Sequence, residues 1–168
     1  MSNTAVRQVI ETVGLIGVVG SLIFVGLEVR QNSISTRAAT NAAVAETFMQ
    51  VNVLMASNPQ LITAWVNNAE NPEAASPGDA MLVLALMRSL FHVWSNAHRQ
   101  YLNGTLDPAI YEALVNELEA YKRVASGDEA NEFAISGGRY VRWAWKSQRF
   151  IFNRDFQSFM DAILGVEG

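Results

Sequence analysis

TVGLIGVVGSLIFVGLEVRQN, residues 12–32, begins with sixteen uncharged residues in a row, Thr12 to Leu27, set between Glu11 and Glu28. Such a run is a membrane span, a secretory leader, or the buried helix of a soluble domain. As a helix it is roughly 24 Å long, a little short of the ~30 Å hydrocarbon core of a bilayer. Val9, Ile10 and Val29 carry the apolar character past both glutamates. The two carboxylates then sit near the headgroups, where charge costs far less than at the midplane. Local thinning and helix association absorb the remaining mismatch. A leader fits less well: only Arg7 stands ahead of the run, and Ser33-Ile34-Ser35 is a poor cleavage site. A buried soluble helix can be apolar all round. Gly14, Gly17, Gly20 and Gly26 would each cost it about 1 kcal/mol. Between membrane helices, small residues instead permit close approach. Gly17-x-x-x-Ser21 is such a pair, with Gly14 and Gly20 beside it. The sequence thus predicts a transmembrane helix over residues 1–30 and a helical domain over 31–168. Arg30 and Arg37 follow the run, which tips the C-terminal domain toward the cytoplasmic side.

Composition agrees. Half of the 168 residues are hydrophobic and 17% are charged, against about 25% charged in soluble domains. Mean hydropathy is +0.11. The net charge of −4 gives no global field for nucleic acid. With no cysteine, disulfides, thiolate metal sites and thiol nucleophiles are excluded. The charges are segregated. No base falls between Arg37 and Arg88, residues 107–132 hold seven acids against Lys122 and Arg123, and residues 137–154 hold five bases and no acid.

The rest of the chain is punctuated as helices. Nothing breaks the first helix before Pro59, so it is expected to run to about Ser57, slimmed by Ala38, Ala39, Ala42, Ala43 and Ala45. Asn58-Pro59, Ser76-Pro77 and Asp107-Pro108 are helix starts. Gly104 suits a helix stop and Asn153 a final cap. Ser126-Gly127 and Ser136-Gly137-Gly138 read as breaks. The expected fold class is all-α, one long N-terminal transmembrane helix continuing into a compact bundle.

No catalytic constellation appears. His92 and His98 are six apart, with no Glu three residues before either, so the carboxylate–histidine element of di-iron bundles is missing. No zinc-protease, phosphate-loop or dinucleotide motif occurs. No cofactor and no metal are expected. His98 continues the stripe of Met87, Phe91, Trp94 and Tyr101 and reads as a core imidazole with one hydrogen bond; His92 reads as solvated. Phe91, Trp94, His98, Tyr101 and Trp143 are the candidates for an aromatic ligand pocket. In RYVRWAWKSQRFIF, Arg139, Arg142, Lys146 and Arg149 fall at steps of three, four and three, within about 80° of helical arc. Such a stripe, bordered by Trp143 and Phe150, pairs with the acidic helix of Glu112, Glu117 and Glu119, in the bundle or between subunits. Contact with anionic lipid is its other use.

Taken in order, GLEVRQN, NPQLITAW, LFHVWSNAHRQYLNGTLDPAIYEAL and WAWKSQRFIFNRDFQSFMDAIL resemble a group of uncharacterised bacterial proteins with one N-terminal membrane helix and a Trp-rich helical domain. The matching positions are Val29–Asn32; Phe91, Trp94, Tyr101, Gly104, Leu106 and Asp107; and Trp145, Arg149, Phe156, Phe159 and Asp161. The resemblance implies this architecture and a bacterial inner membrane, with no activity attached. Glu28 departs from it, standing where a neutral polar residue is usual. The expected function is non-enzymatic protein–protein association by a single-pass membrane protein, as a homo-oligomer or an accessory subunit of a membrane complex. Its partners would be membrane lipid, copies of itself or other membrane subunits, and no nucleic acid. A sensor or small-molecule binder built on the aromatic pocket is the alternative.

Overall fold

A computed structural model describes residues 3–124 and 132–166. Among these there is no strand. The helices are α1 (Asn3–Ser57), α2 (Pro59–Asn67), α3 (Pro77–Leu102), α4 (Pro108–Val124), α5 (Glu132–Gln148) and α6 (Arg154–Leu164), with 3-10 turns at Pro72–Ala74 and Arg149–Ile151. The chain is all-α as expected, with a long apolar helix followed by a compact helical domain. It divides into two units, Met1–Ala39 and Thr40–Gly168.

In the first unit the apolar side chains from Val13 to Val29 are exposed, from 49% at Val19 to 68% at Leu15. The most apolar stretch of α1 has a mean hydropathy of 2.1 and none of it is buried, so the helix is long and apolar enough to cross a membrane. Helix α3 meets the same criteria with a mean hydropathy of 1.2, but 39% of its stretch is buried. It is the core helix of the second unit, burying Val83, Leu86, Met87, Phe91, Trp94 and Ala97.

The second unit forms where its apolar stripes meet. The last turns of α1 supply Val51, with Phe48 and Met55 packed beside it. Around the central Phe91 lie Trp145 at 5.2 Å, Trp94 at 5.9 Å and Phe152 at 6.1 Å between ring centroids. The tilted and edge-on angles suit the aromatic quadrupole. The starts read from the sequence are built as expected. Asn58 Oδ1 accepts from the Leu61 amide (3.0 Å), Ser76 Oγ from Asp79 (3.2 Å), and Asn153 Oδ1 from Phe156 (2.9 Å). Asp107 Oδ1 accepts from the Ala109 amide at 2.8 Å, ahead of α4. Gly104 ends α3 with φ +71°, a conformation that disfavours any residue with a Cβ.

Two sequence expectations need correction. Ser136-Gly137-Gly138 is no break, because α5 starts at Glu132 and passes through it. A Cβ on Gly138 would lie 2.6 Å from the Tyr121 carbonyl oxygen, and one on Gly137 would lie 3.0 Å from Tyr121 Cε1. These glycines let α4 and α5 approach closely; they do not end a helix. The single helix that the stripe in RYVRWAWKSQRFIF implies stops at Gln148 and tightens into the 3-10 turn Arg149–Ile151. The expected break at Ser126-Gly127 lies outside the described residues.

Candidate functional site

The apolar face of α1 comes first. Only two side chains between Glu11 and Glu28 bear a hydroxyl, Thr12 and Ser21. Both fold back on their own helix: Thr12 Oγ1 donates to the Gln8 carbonyl at 2.9 Å, and Ser21 Oγ donates to the Gly17 carbonyl at 2.8 Å. Each donor is thereby satisfied without water, as a hydrocarbon setting requires. Arg7 Nε meets Glu11 Oε1 at 2.8 Å, an exposed i, i+4 ion pair at the N-terminal end of the run. Beyond the adjoining residues and backbone of α1 itself, no atom lies within 4 Å of a Cβ built on Gly14, Gly17, Gly20 or Gly26. At 100° per residue, Gly14, Gly17, Gly20 and Ser21 occupy about 120° of arc, leaving a shallow, open furrow.

The basic stripe of α5 is taken apart by its surroundings. Arg139 Nη1 donates to the Glu70 carbonyl at 2.9 Å. Arg142 is half-buried, and its Nε has no hydrogen-bond partner among the described residues. Lys146 is exposed. Arg149 lies in the 3-10 turn and grips Asp161 of α6, with Nη2 to Oδ2 at 2.6 Å and Nε to Oδ1 at 3.0 Å. The ion pair made by this stripe is thus with α6, not with the acidic helix α4. Trp145, fully buried, donates its indole N–H to the same Asp161 Oδ1 at 2.9 Å. The guanidinium first, and then the indole, hold the Asp161 carboxyl below its ordinary value against the opposing effect of burial. Trp145, Arg149 and Asp161 therefore clasp α5 and the turn after it onto α6, while Phe159 turns to stack on His98 of α3. Phe156 packs edge-on to Trp145 at 5.7 Å.

The five aromatic-pocket candidates separate. Phe91 and Trp94 are buried in the packed core, and Trp94 Nε1 is buried without a hydrogen-bond partner among the described residues. Tyr101 is exposed and stacks on Tyr111 at 3.9 Å. Trp143 is half-buried and lies 6.3 Å from the Tyr140 ring. His98, half-buried, shares a hydrogen bond from Nδ1 with the Tyr111 hydroxyl and stacks on Phe159 at 4.3 Å. This is the one-bond imidazole expected from the sequence. Burial lowers its pKa, with the Asp155 charge acting against that. His92 is exposed, with its ring 5.0 Å from Phe152.

The described cavities are lined by other residues. One, of about 230 Å³, lies among α1, α2, α3, α4 and α5 and is walled by Phe48, Trp65, Met87, Leu90 and Tyr121. Its exposed lining residues are Asn52 and Glu117. Glu117 reaches solvent, yet its packed side raises its pKa, and the Tyr121 hydroxyl bonded to it lowers it by less. Tyr121 is pushed up to about 12, chiefly by burial and then by the Glu117 charge. No sequence signal marked this cavity, because Phe48, Trp65 and Tyr121 come from three separate helices.

Among the described residues, no group of three or more His, Asp or Glu side chains is placed to hold a metal ion. Comparison with known protein families, with curated proteins and with solved structures gives no match for this chain.

Proposed function

We propose that this chain is a single-pass membrane protein of the bacterial inner membrane, with its helical domain on the cytoplasmic side. It acts by association with copies of itself or as an accessory subunit of a membrane complex, and performs no catalysis. The observation that carries this reading is the apolar face of α1 from Val13 to Val29, exposed throughout, with the hydroxyls of Thr12 and Ser21 turned back on their own helix's carbonyls. Soluble monomers rarely expose contiguous apolar patches beyond ~600 Å². A helix surrounded by acyl chains has no such restriction. The furrow of Gly14, Gly17, Gly20 and Ser21 is the face on which a second helix packs, since small residues allow backbones within reach of close dispersion contact. The second unit supports the non-catalytic reading, because polar side chains at its helix contacts hold helices together: Tyr140 Oη to the Trp65 carbonyl, Trp145 and Arg149 to Asp161, Gln148 to Leu84 and Arg88.

Two measurements test it. Alkaline carbonate extraction of membranes should leave the chain in the pellet, and its release into the supernatant would end the membrane reading. Native mass in mild detergent should show an oligomer or a co-purifying subunit. Gly17→Leu fills the furrow without adding polarity, so insertion should persist while the assembly dissociates. A variant assembled as tightly as the parent would move the interface elsewhere.

A further inference from the structure

We propose that the cavity among α1, α2, α3, α4 and α5 is a binding site for a small arylalkylamine, with the ring seated between Trp65, Phe48 and Tyr121 and the ammonium on the Glu117 carboxylate. The site lies wholly within residues 40–168 and shares no residue with the furrow of α1.

Three features carry it. The first is size: the cavity measures about 230 Å³, whereas an apolar cavity of about 150 Å³ already accepts benzene. A single ring with a two-carbon tail is accommodated, and a drug-sized molecule is not. The second is wall chemistry. Met87 and Leu90 close one side, and two large aromatic rings, Trp65 and Tyr121, close others. Such walls take a flat apolar body, and their faces attract a cation. The third is the placement of the one carboxylate. Glu117 is exposed while it lines the cavity, so it stands at the mouth. A charge placed there retains part of its hydration, which avoids the full cost of burying an ion pair. The Tyr121 hydroxyl bonds to Glu117 and orients it, and a carboxylate retains acceptor sites for further donors. Asn52, the other exposed lining residue, adds a neutral polar group at the rim. A ligand carboxylate, by contrast, meets like charge.

The test uses the full chain in detergent, with titration calorimetry corrected against empty micelles. The probes are phenethylamine, 2-phenylethanol and phenylacetate, which share a ring and differ in the head. Phenethylamine should bind one per chain and more tightly than phenylacetate by about tenfold or more. Glu117→Gln should erase that preference and leave 2-phenylethanol within about threefold of its parent value, since a charge and not the cavity has been removed. Leu90→Trp, which fills the cavity from a half-buried position, should abolish binding of all three probes, with the helical circular dichroism unchanged as the check on folding. Three results would overturn the proposal: no saturable uptake of phenethylamine at millimolar concentration, equal affinity for the amine and the acid, or amine binding that survives Glu117→Gln undiminished.

Discussion

Gly138→Ala sets two effects of opposite sign against each other. Inside a helix, alanine is favoured over glycine by about 1 kcal/mol, so helix propensity alone makes the substitution stabilising. The structure says otherwise. The new methyl would sit 2.6 Å from the backbone oxygen of Tyr121 and 3.5 Å from its carbonyl carbon. A carbon–oxygen pair needs well over 3 Å, and a backbone carbonyl locked in α4 cannot swing aside as a side chain can. Helix α5 must therefore back away from α4. That loosens Leu118, Tyr140, Val141 and Trp145, which are part of one core cluster. Overpacking of this kind costs about 1–3 kcal/mol, so after the propensity gain the net change is a destabilisation of up to about 2 kcal/mol. Thermal or urea unfolding of the detergent-solubilised chain, followed by circular dichroism, reads this as a Tm lowered by several degrees, at ~2–8 °C per kcal/mol for chains of this size range. Gly20→Ala is the internal control, because nothing beyond the adjoining residues and backbone of α1 lies within 4 Å of its Cβ and it should leave the Tm of the bundle unmoved. A Gly138→Ala protein more stable than the parent would refute the claim that this glycine exists for the close approach of α4 and α5.

Tyr140→Phe removes a hydroxyl that donates to the Trp65 carbonyl at 2.6 Å from a fully buried ring. The expected loss is about 1 kcal/mol, seen as a lower urea midpoint with an unchanged slope. Asp161 has its pKa lowered by the Arg149 hydrogen bonds from its ordinary 3.8, so its contribution is complete above that value and is lost as pH falls through the folded value. Asp161→Asn should therefore be less stable than the parent at neutral pH, and the gap should close in strong acid; a gap constant with pH would refute this. His98 has its pKa lowered from 6.5 by burial. The unfolded chain then binds the extra proton first, and stability is lost as pH falls from about 6.5 toward the folded value. His98→Gln should flatten that part of the curve of urea midpoint against pH.

Helix starts and stops were legible in the sequence because each is decided locally. A side-chain oxygen three residues ahead of an orphan amide, or a glycine free to adopt positive φ, acts within one turn. Asn58, Ser76 and Asn153 cap as read, and Gly104 stops α3 as read. Gly137 and Gly138 were misread because their reason is not local. The same absence of a Cβ that frees a backbone also permits a close approach, and only the position of Tyr121, sixteen or more residues away in sequence, distinguishes the two. Arg149 departs from the basic stripe for a reason of the same kind. Periodicity put four cations on one face, but the α-helix ends at Gln148, so Arg149 leaves the stripe for Asp161. The aromatic stripe of α3 was correctly read as a face, yet a face specifies a core or a cavity only once the opposing helices are in place. Phe91 and Trp94 are covered, while the void opens beside Phe48, Trp65 and Tyr121.

The use of polar groups separates scaffold from function in this chain. Gln148 is 3% exposed and is the buried polar side chain among the described residues. Both ends of its amide are occupied, Oε1 by Arg88 Nε at 3.1 Å and Nε2 by the Leu84 carbonyl at 2.9 Å. Asp161 holds an indole and a guanidinium together; Tyr140 is tied to the end of α2. A reactive site needs a group whose hydrogen-bonding capacity is left open toward a cleft, and these groups have spent theirs on joining helices. Glu117 differs. It lines a void, its charge is disfavoured on the packed side, and its hydrogen-bonded neighbour is on its own helix, four residues on, not on another element. Removing a carboxylate of the first kind unlatches helices; removing Glu117 takes away a charge that the fold does not use. Glu117→Gln should therefore leave the bundle at least as stable as the parent near neutral pH, where the raised pKa makes the ionised form a net cost. A marked fall in Tm for Glu117→Gln would place Glu117 with the latches and remove it from the mouth of a binding site.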